Sequence, residues 1–273
     1  MFDSNFTELN SYDELPLWSA PFGLMLLDTI QLKQGMKVLD VGSGNGFPML
    51  EIADRLGSPG HVTGIDPLED AIRIINKKIS RREVPNASLI QGFAEEMPFE
   101  NEQFDLITSN NGLNNVNDQS NAFRECFRVA KHGAQMVITM NLPHTMIEFY
   151  EIVEEVLRES GRMHEVILME EHIASKRKTV EFLKEMIIST GFSIKSINPD
   201  GFNYRFTSAE ALLHHYLIRN YFLDSWKEFL PLKKEEEVMQ QVRQRINTIC
   251  EQEGEFNLSI PFACFNCFKP FNI

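Results

Sequence analysis

The chain has 273 residues, 43% of them hydrophobic and 24% charged, which suits one large domain or one core carrying an inserted subdomain. Its 26 basic and 39 acidic side chains leave a net charge of −13, which argues against non-specific binding to nucleic acid or anionic lipid. No apolar run reaches the length of a membrane span, and the acidic opening MFDSNFTELNSYDELPLW does not read as a signal peptide, so a cytoplasmic protein with reduced thiols is expected.

The first 36 residues read as a helical or irregular lid segment rich in aromatics, among them Tyr12, Trp18 and Phe22. The strand KVLDV (Lys37 to Val41) follows and runs into a glycine loop, GSGNGFP, with Gly42, Gly44 and Gly46 at alternate positions. Apolar residues at Met49, Leu50, Ala53 and Leu56 repeat at helical spacing, with Pro48 suited to the first turn and Gly57 to the end. HVTGID is a second short apolar strand, LEDAIRIINKKIS an amphipathic helix, ASLIQG a third strand and FDLITSN a fourth. NAFRECFRVA then reads as a helix and AQMVITMN as a fifth strand. Short, continuously apolar strands alternating with helices predict a doubly wound, mostly parallel sheet covered on both faces, with its ligand at the carboxyl ends of the strands.

After Asn141 come a helix (TMIEFYEIVEEVLRES), a polar stretch with the run SKRK read as a solvated helix start, a helix (TVEFLKEMIISTGF) and a strand (SIKSI). SAEALLHHYLIRNYFLDSWKEFLP reads as a strongly apolar helical segment, KKEEEVMQQVRQRINTICEQEGE as a charged helix and FNLSIPFACFNCFKP as the closing strand. A connection this long between the last two strands predicts a helical cap insertion over 202–255 on a core of 37–201 and 256–273. Cys264 and Cys267 form C-x-x-C inside the closing strand, where residues three apart point to opposite faces; no second ligand pair accompanies them, so no metal site is expected.

The glycine loop narrows the ligand. A P-loop needs Lys followed by Ser or Thr, and the chain has Phe47 and Pro48 after Gly46. A dinucleotide fingerprint needs Gly or Ala where Phe47 stands. The pattern D-x-G-x-G-x-G, from Asp40, resembles motif I of the class I S-adenosylmethionine-dependent methyltransferases. GIDP (Gly64 to Pro67), GFAEEMPFENEQFDLITSNNGLNNV and AFRECFRVAKHGAQMVI are similar to further stretches of that family in the same order, over residues ~37–140. Gly112, Leu113, Asn115 and Val116 mirror the G-L-x-N-V of the ubiquinone/menaquinone C-methyltransferase type.

The resemblance implies a Rossmann-like, seven-stranded sheet with the last strand antiparallel, and S-adenosylmethionine as cofactor. It implies that Asp40 orders the glycine loop through backbone N–H groups, and that Gly42, Ser43, Gly44 and Gly46 lie along the methionine part and ribose. Asp66, about twenty residues past the loop, would accept the ribose hydroxyls. Pro67 would pack on the adenine, Ala94 and Glu95 would meet its edge, and Ser109 and Asn110 would face the transferable methyl group. Phe93 departs from the family, many members of which have an Asp there for the adenine amino group; Glu95 or a backbone carbonyl would take that proton instead. His144, just after the fifth strand, and His215, in the cap, are the candidate bases, each weighed against an ordinary hydrogen-bonded histidine. The expected partner is a small-molecule methyl acceptor with an apolar part, with no nucleic acid; a homodimer is allowed. A quinone-type acceptor is the alternative within enzymes, and a non-catalytic cofactor-binding protein the alternative outside them.

Overall fold

A computed structural model describes residues 17–230 and 234–271. Tyr12 and the rest of the predicted lid up to residue 16 lie outside the described residues. The chain divides into two compact units, one of Met1–Met140, Val180–Pro199 and Phe262–Ile273, the other of Asn141–Thr179 and Asp200–Pro261.

In chain order the first unit contributes α1 (Ser19–Thr29), β1 (Lys37–Val41), α2 (Met49–Leu56), β2 (His61–Asp66), α3 (Glu69–Arg82), β3 (Ala87–Gln91), β4 (Phe104–Asn110), a 3₁₀ turn (Gly112–Asn115) and α4 (Gln119–Val129). β5 (Ala130–Asn141) leads to α5 (Ile147–Glu159) and α6 (Met163–Lys176) of the second unit; α7 (Val180–Ser189) returns to the first, followed by β6 (Ser193–Phe206). α8 (Ala209–His214), α9 (Tyr216–Tyr221), α10 (Leu223–Lys227) and α11 (Glu235–Glu253) precede β7 (Phe256–Phe268).

The seven strands form one sheet in the order β3-β2-β1-β4-β5-β7-β6. β1 pairs in parallel with both β2 and β4, so the strand order reverses there, and the crevice beyond their carboxyl ends is the natural ligand position. The Gly133 N–H donates to the Lys269 carbonyl and, further along, the Leu142 N–H donates to that of Pro261; the falling partner numbers show that β7 runs antiparallel to β5, as expected.

The strands of the sheet centre are apolar because both faces are covered. Val38, Leu106 and Val137 pack in one cluster with Leu26 and Leu27 of α1, Met49, Leu50 and Ile52 of α2, and Ile75 of α3. Each such buried side chain contributes about 1.5–3 kcal/mol of transfer free energy. α3 carries Glu69 and Asp70 in its first turn and Arg81 and Arg82 in its last, matching the helix dipole at both ends. The buried Lys269, just after β7, donates to the carbonyls of Phe127 and Ala130 and so satisfies the end of α4.

Four details depart from the sequence reading. β5 opens at Ala130, not Ala134, with a register irregularity opposite Phe104 and Leu106 that absorbs the extra residues. β6 continues beyond SIKSI through Asn198-Pro199-Asp200-Gly201; it is the last strand of the sheet, where proline and glycine are tolerated. The run SKRK ends a helix instead of starting one: Lys176 lies in the last turn of α6, where a cation suits the dipole. The apolar segment after Ser208 is three short helices, broken at His215, whose backbone is extended (ψ 131°) between α8 and α9.

The second unit takes in 141–179 as well as 200–261, and α5 and α6 bury apolar faces within it. Phe149 of α5 stacks on Trp226 of α10 at 3.9 Å between centroids, and α5 packs against α6 and α11.

Candidate functional site

The glycine loop is held mainly by β2. The Gly42 and Ser43 N–H groups both donate to the Ile65 carbonyl, at 2.9 and 3.4 Å, and the Gly46 N–H closes a turn onto the Ser43 carbonyl at 2.8 Å. The Gly44 N–H donates to Oδ2 of Asp66 at 2.9 Å, while Oδ1 of Asp66 accepts the Leu68 N–H at 3.0 Å. Asp66, 5% exposed, thus ties the loop to the start of α3.

Two glycines make the loop possible for different reasons. A Cβ on Gly42 (φ +75°) would sit 2.9 Å from the Gly112 Cα, so β1 and the turn after β4 touch backbone to backbone. A Cβ on Gly44 (φ +51°) would meet no atom of the described residues within 4 Å, so among them the loop presents bare backbone to open space. Phe47 does not obstruct the loop: it turns away beneath α1, close enough that a side chain on Gly23 would strike its ring.

Asp40 does not hold the loop's N–H groups, contrary to expectation; Asp66 and Ile65 do. Oδ1 of Asp40 accepts from Thr108 Oγ1 at 2.7 Å, and Ser43 Oγ donates to the Asp40 carbonyl at 3.0 Å. Asp40 is 1% exposed, and burial, reinforced by the charge of Asp66, raises its carboxyl from 3.8 to about 6 against the opposing hydrogen bonds.

Ser109 fastens the end of β4: its hydroxyl donates to the Val41 carbonyl at 2.8 Å and accepts the Leu113 N–H at 3.2 Å. Asn110 accepts from Thr139 at 3.0 Å and donates to the Ser19 carbonyl at 3.1 Å, which anchors α1 at the carboxyl end of β4. Asp40, Gly42, Ser43, Gly44, Gly46, Asp66, Ser109 and Asn110 are therefore brought together at the ends of β1, β2 and β4. Pro67 and Leu68 are exposed beside Asp66, and Ala94 is buried next to the exposed Phe93. Glu95 is already engaged: Oε1 accepts the N–H groups of Asn117 at 2.8 Å and Asp118 at 3.3 Å, which fixes the turn into α4.

His144 and His215 belong to the second unit. His144 is exposed with a left-handed backbone (φ +68°). The ring of His215 lies 5.4 Å from those of Tyr204 and Phe206, and its buried Nδ1 has no hydrogen-bond partner among the described residues.

Thr108, the donor to Asp40, was not anticipated, although the two are direct cross-strand partners once β1 and β4 pair. Nor was the role of Glu125 and Arg128. Arg128 donates to the carbonyls of Met97 and Phe99 and to Asn101, and pairs with Glu125, which in turn accepts the Met97 N–H. Their mutual hydrogen bonding raises the guanidinium and lowers the carboxyl. The E-x-x-R spacing on α4 thus fixes the loop that carries Ala94 and Glu95 toward β4. Cys264 and Cys267 are buried in β7, and the described residues contain no cluster of three metal-ligating side chains. No helix among them is long and apolar enough to cross a membrane.

Residues 32–194 match the methyltransferase domain family. The chain is 36% identical over 107 residues to the demethylmenaquinone methyltransferase of Listeria monocytogenes, a match that covers 39% of this chain and 45% of that one. It spans about half the length of the curated relatives it matches. Its fold is similar to that of the YcgJ protein of Bacillus subtilis, with a TM-score of 0.60 at 16% identity over 93% of this chain and 99% of that one. A phosphoethanolamine N-methyltransferase 2 of Haemonchus contortus, solved with S-adenosyl-L-methionine, gives 0.55 at 19% identity over 91% of this chain and 52% of that one. The family match extends over more than half of the sequence, through the glycine loop, Asp66 and the Arg128 helix, and the chain belongs to the methyltransferase domain family.

Proposed function

We propose that the protein is an S-adenosylmethionine-dependent methyltransferase acting on a small molecule. The observation that carries this reading is the pairing of Asp66 with the open backbone at Gly44. A buried carboxylate at the end of β2 uses one lone pair on each oxygen for a loop N–H and keeps the others for hydroxyl donors. Beside it, the absence of a side chain at Gly44 leaves the cradle a ribose and an amino-acid chain need. The exposed Leu68 offers an apolar face to the adenine.

When bound, the cofactor supplies a methyl group on a sulfonium, transferred by in-line displacement. The chain's part is to align donor and acceptor and keep water out, with little need for strong acid–base catalysis. Asp40, Ser109 and Asn110 position the loop and strand ends. An acceptor with an apolar part belongs to this reading, in keeping with the aromatic content of the sequence. The buried free thiols of Cys126, Cys264 and Cys267 suit a cytoplasmic setting.

A quinone-type acceptor is favoured by the identity to demethylmenaquinone methyltransferase across the cofactor-binding stretch. Release of S-adenosylhomocysteine, measured across phenols, amines, carboxylic acids and short-chain naphthoquinols, tests both. Turnover of any acceptor supports the enzyme, and turnover confined to naphthoquinols supports the second reading. Cofactor binding with no turnover in the whole panel would contradict catalysis and favour a binding protein.

A further inference from the structure

We infer that Arg177 in the second unit receives an oxyanion, a carboxylate or phosphate, on a ligand whose remaining part lies on the Tyr150 side of the guanidinium. The inference rests on the methyltransferase reading for the identity of that ligand as the methyl acceptor.

Arg177 follows α6, with its backbone extended (φ −138°, ψ 144°). Its Nη1 donates to the Lys176 carbonyl at 2.8 Å, while its Nε is shielded from solvent and has no hydrogen-bond partner among the described residues. Among the described residues no carboxylate pairs with it; the charge-bearing group it senses is the phenol of Tyr150. Burial lowers the guanidinium from its ordinary value, the mark of a cation lacking a counter-ion. A half-buried guanidinium whose Nε finds no acceptor is partly desolvated without compensation, which an anionic ligand would offset.

The geometry of the group specifies the anion. With Nη1 used, the edge made by Nε and Nη2 remains, and two parallel N–H bonds along such an edge match the two oxygens of a carboxylate or phosphate. Tyr150, the group it senses, belongs to an aromatic cluster. The Tyr150 ring lies 6.3 Å from that of Trp226, edge-on, and 6.1 Å from that of Phe229. His172 packs on Phe229 at 5.2 Å, with its Nδ1 3.5 Å from a carboxylate oxygen of Glu228. A planar ring bearing an acid group satisfies both halves of this environment.

The test is calorimetric titration of the full chain and of Arg177→Gln and Arg177→Lys with benzoate, phenyl phosphate and benzyl alcohol, each repeated with S-adenosylmethionine. At least one anion should bind the wild type and bind Arg177→Gln about tenfold or more weakly, while benzyl alcohol binds both alike. Which anion wins separates carboxylate from phosphate. Arg177→Lys should recover only part of the affinity, since an ammonium cannot present the two-pronged edge; full recovery would overturn the fork. Arg177→Gln should melt at or above the wild-type temperature without ligand, because it relieves an unpaired charge; a lower melting temperature would make Arg177 a structural group. Equal anion affinity in wild type and Arg177→Gln, or no anion binding to the wild type, overturns the site. Loss of S-adenosylmethionine binding with anion binding intact would strike the methyltransferase reading and leave Arg177 standing.

Discussion

Asp66 and Gly44 are joined by a single hydrogen bond of 2.9 Å, from the loop N–H to Oδ2, and through it the end of β2 sets the position of the glycine loop of β1. The same carboxylate holds Leu68 at the start of α3. Replacing Asp66 with Ala removes both acceptors and should cost about 1–3 kcal/mol of stability. Asp66→Asn retains one amide oxygen and should recover much of that stability without recovering cofactor affinity, because it offers fewer lone pairs and no charge to two hydroxyl donors. Thermal denaturation and calorimetry on the two variants separate the roles; recovery of affinity in proportion to stability would make Asp66 purely structural.

The two loop glycines should fail differently. Gly42→Ala drives a Cβ against the Gly112 backbone, which cannot give way, so stability should fall by about 1–3 kcal/mol or more. Gly44→Ala meets no atom of the described residues and should cost only about 1 kcal/mol for its left-handed backbone. Its methyl group occupies the space assigned to the cofactor, so binding should drop further than stability does. Equal cofactor affinity in Gly44→Ala and wild type would remove the ligand from that space.

Arg128 is expected to matter through the loop it holds. Arg128→Met abandons the carbonyls of Met97 and Phe99 and should destabilise the protein by about 2 kcal/mol. Arg128→Lys should rescue little, because a point charge cannot span the planar set of acceptors. Hydrogen exchange should show faster opening at Met97, whose N–H is held by Glu125. Unchanged exchange there would contradict the assignment.

Asp40 gives a pH dependence of definite sign. Its carboxyl rises from 3.8 to about 6 on folding, so between those values the folded chain keeps a proton that the unfolded chain has released. The stability this group contributes is full below the lower value, falls as pH climbs through the window and is level above it, a change of about 3 kcal/mol. Asp40→Asn should flatten the difference in chemical denaturation across that window. An unaltered slope would place the titration elsewhere.

What could be read from the sequence follows from the physics of each element. Lys37–Val41, His61–Asp66 and Phe104–Asn110 were legible because strands covered on both faces are continuously apolar. The second half of β6 was not, because an edge strand tolerates the Pro and Gly that otherwise signal a turn. The cap's apolar run hid its break, since apolarity says nothing about the extended backbone of His215. In the site, Asp66 could be found from its spacing to the loop. Thr108 could not, because its relation to Asp40 exists only after β1 and β4 pair. Arg177 sits in a run of like charges that reads as solvated, and only folding reveals that its Nε is shut away from water.

The central claim is that the glycine loop and Asp66 hold S-adenosylmethionine. Calorimetric titration of the wild type and of Asp66→Ala with S-adenosylmethionine, S-adenosylhomocysteine and NAD addresses it most directly. The first two should bind the wild type, NAD should not, and Asp66→Ala should lose tenfold or more in affinity for both. Absence of S-adenosylmethionine binding, equal binding of NAD, or undiminished affinity in Asp66→Ala would contradict it.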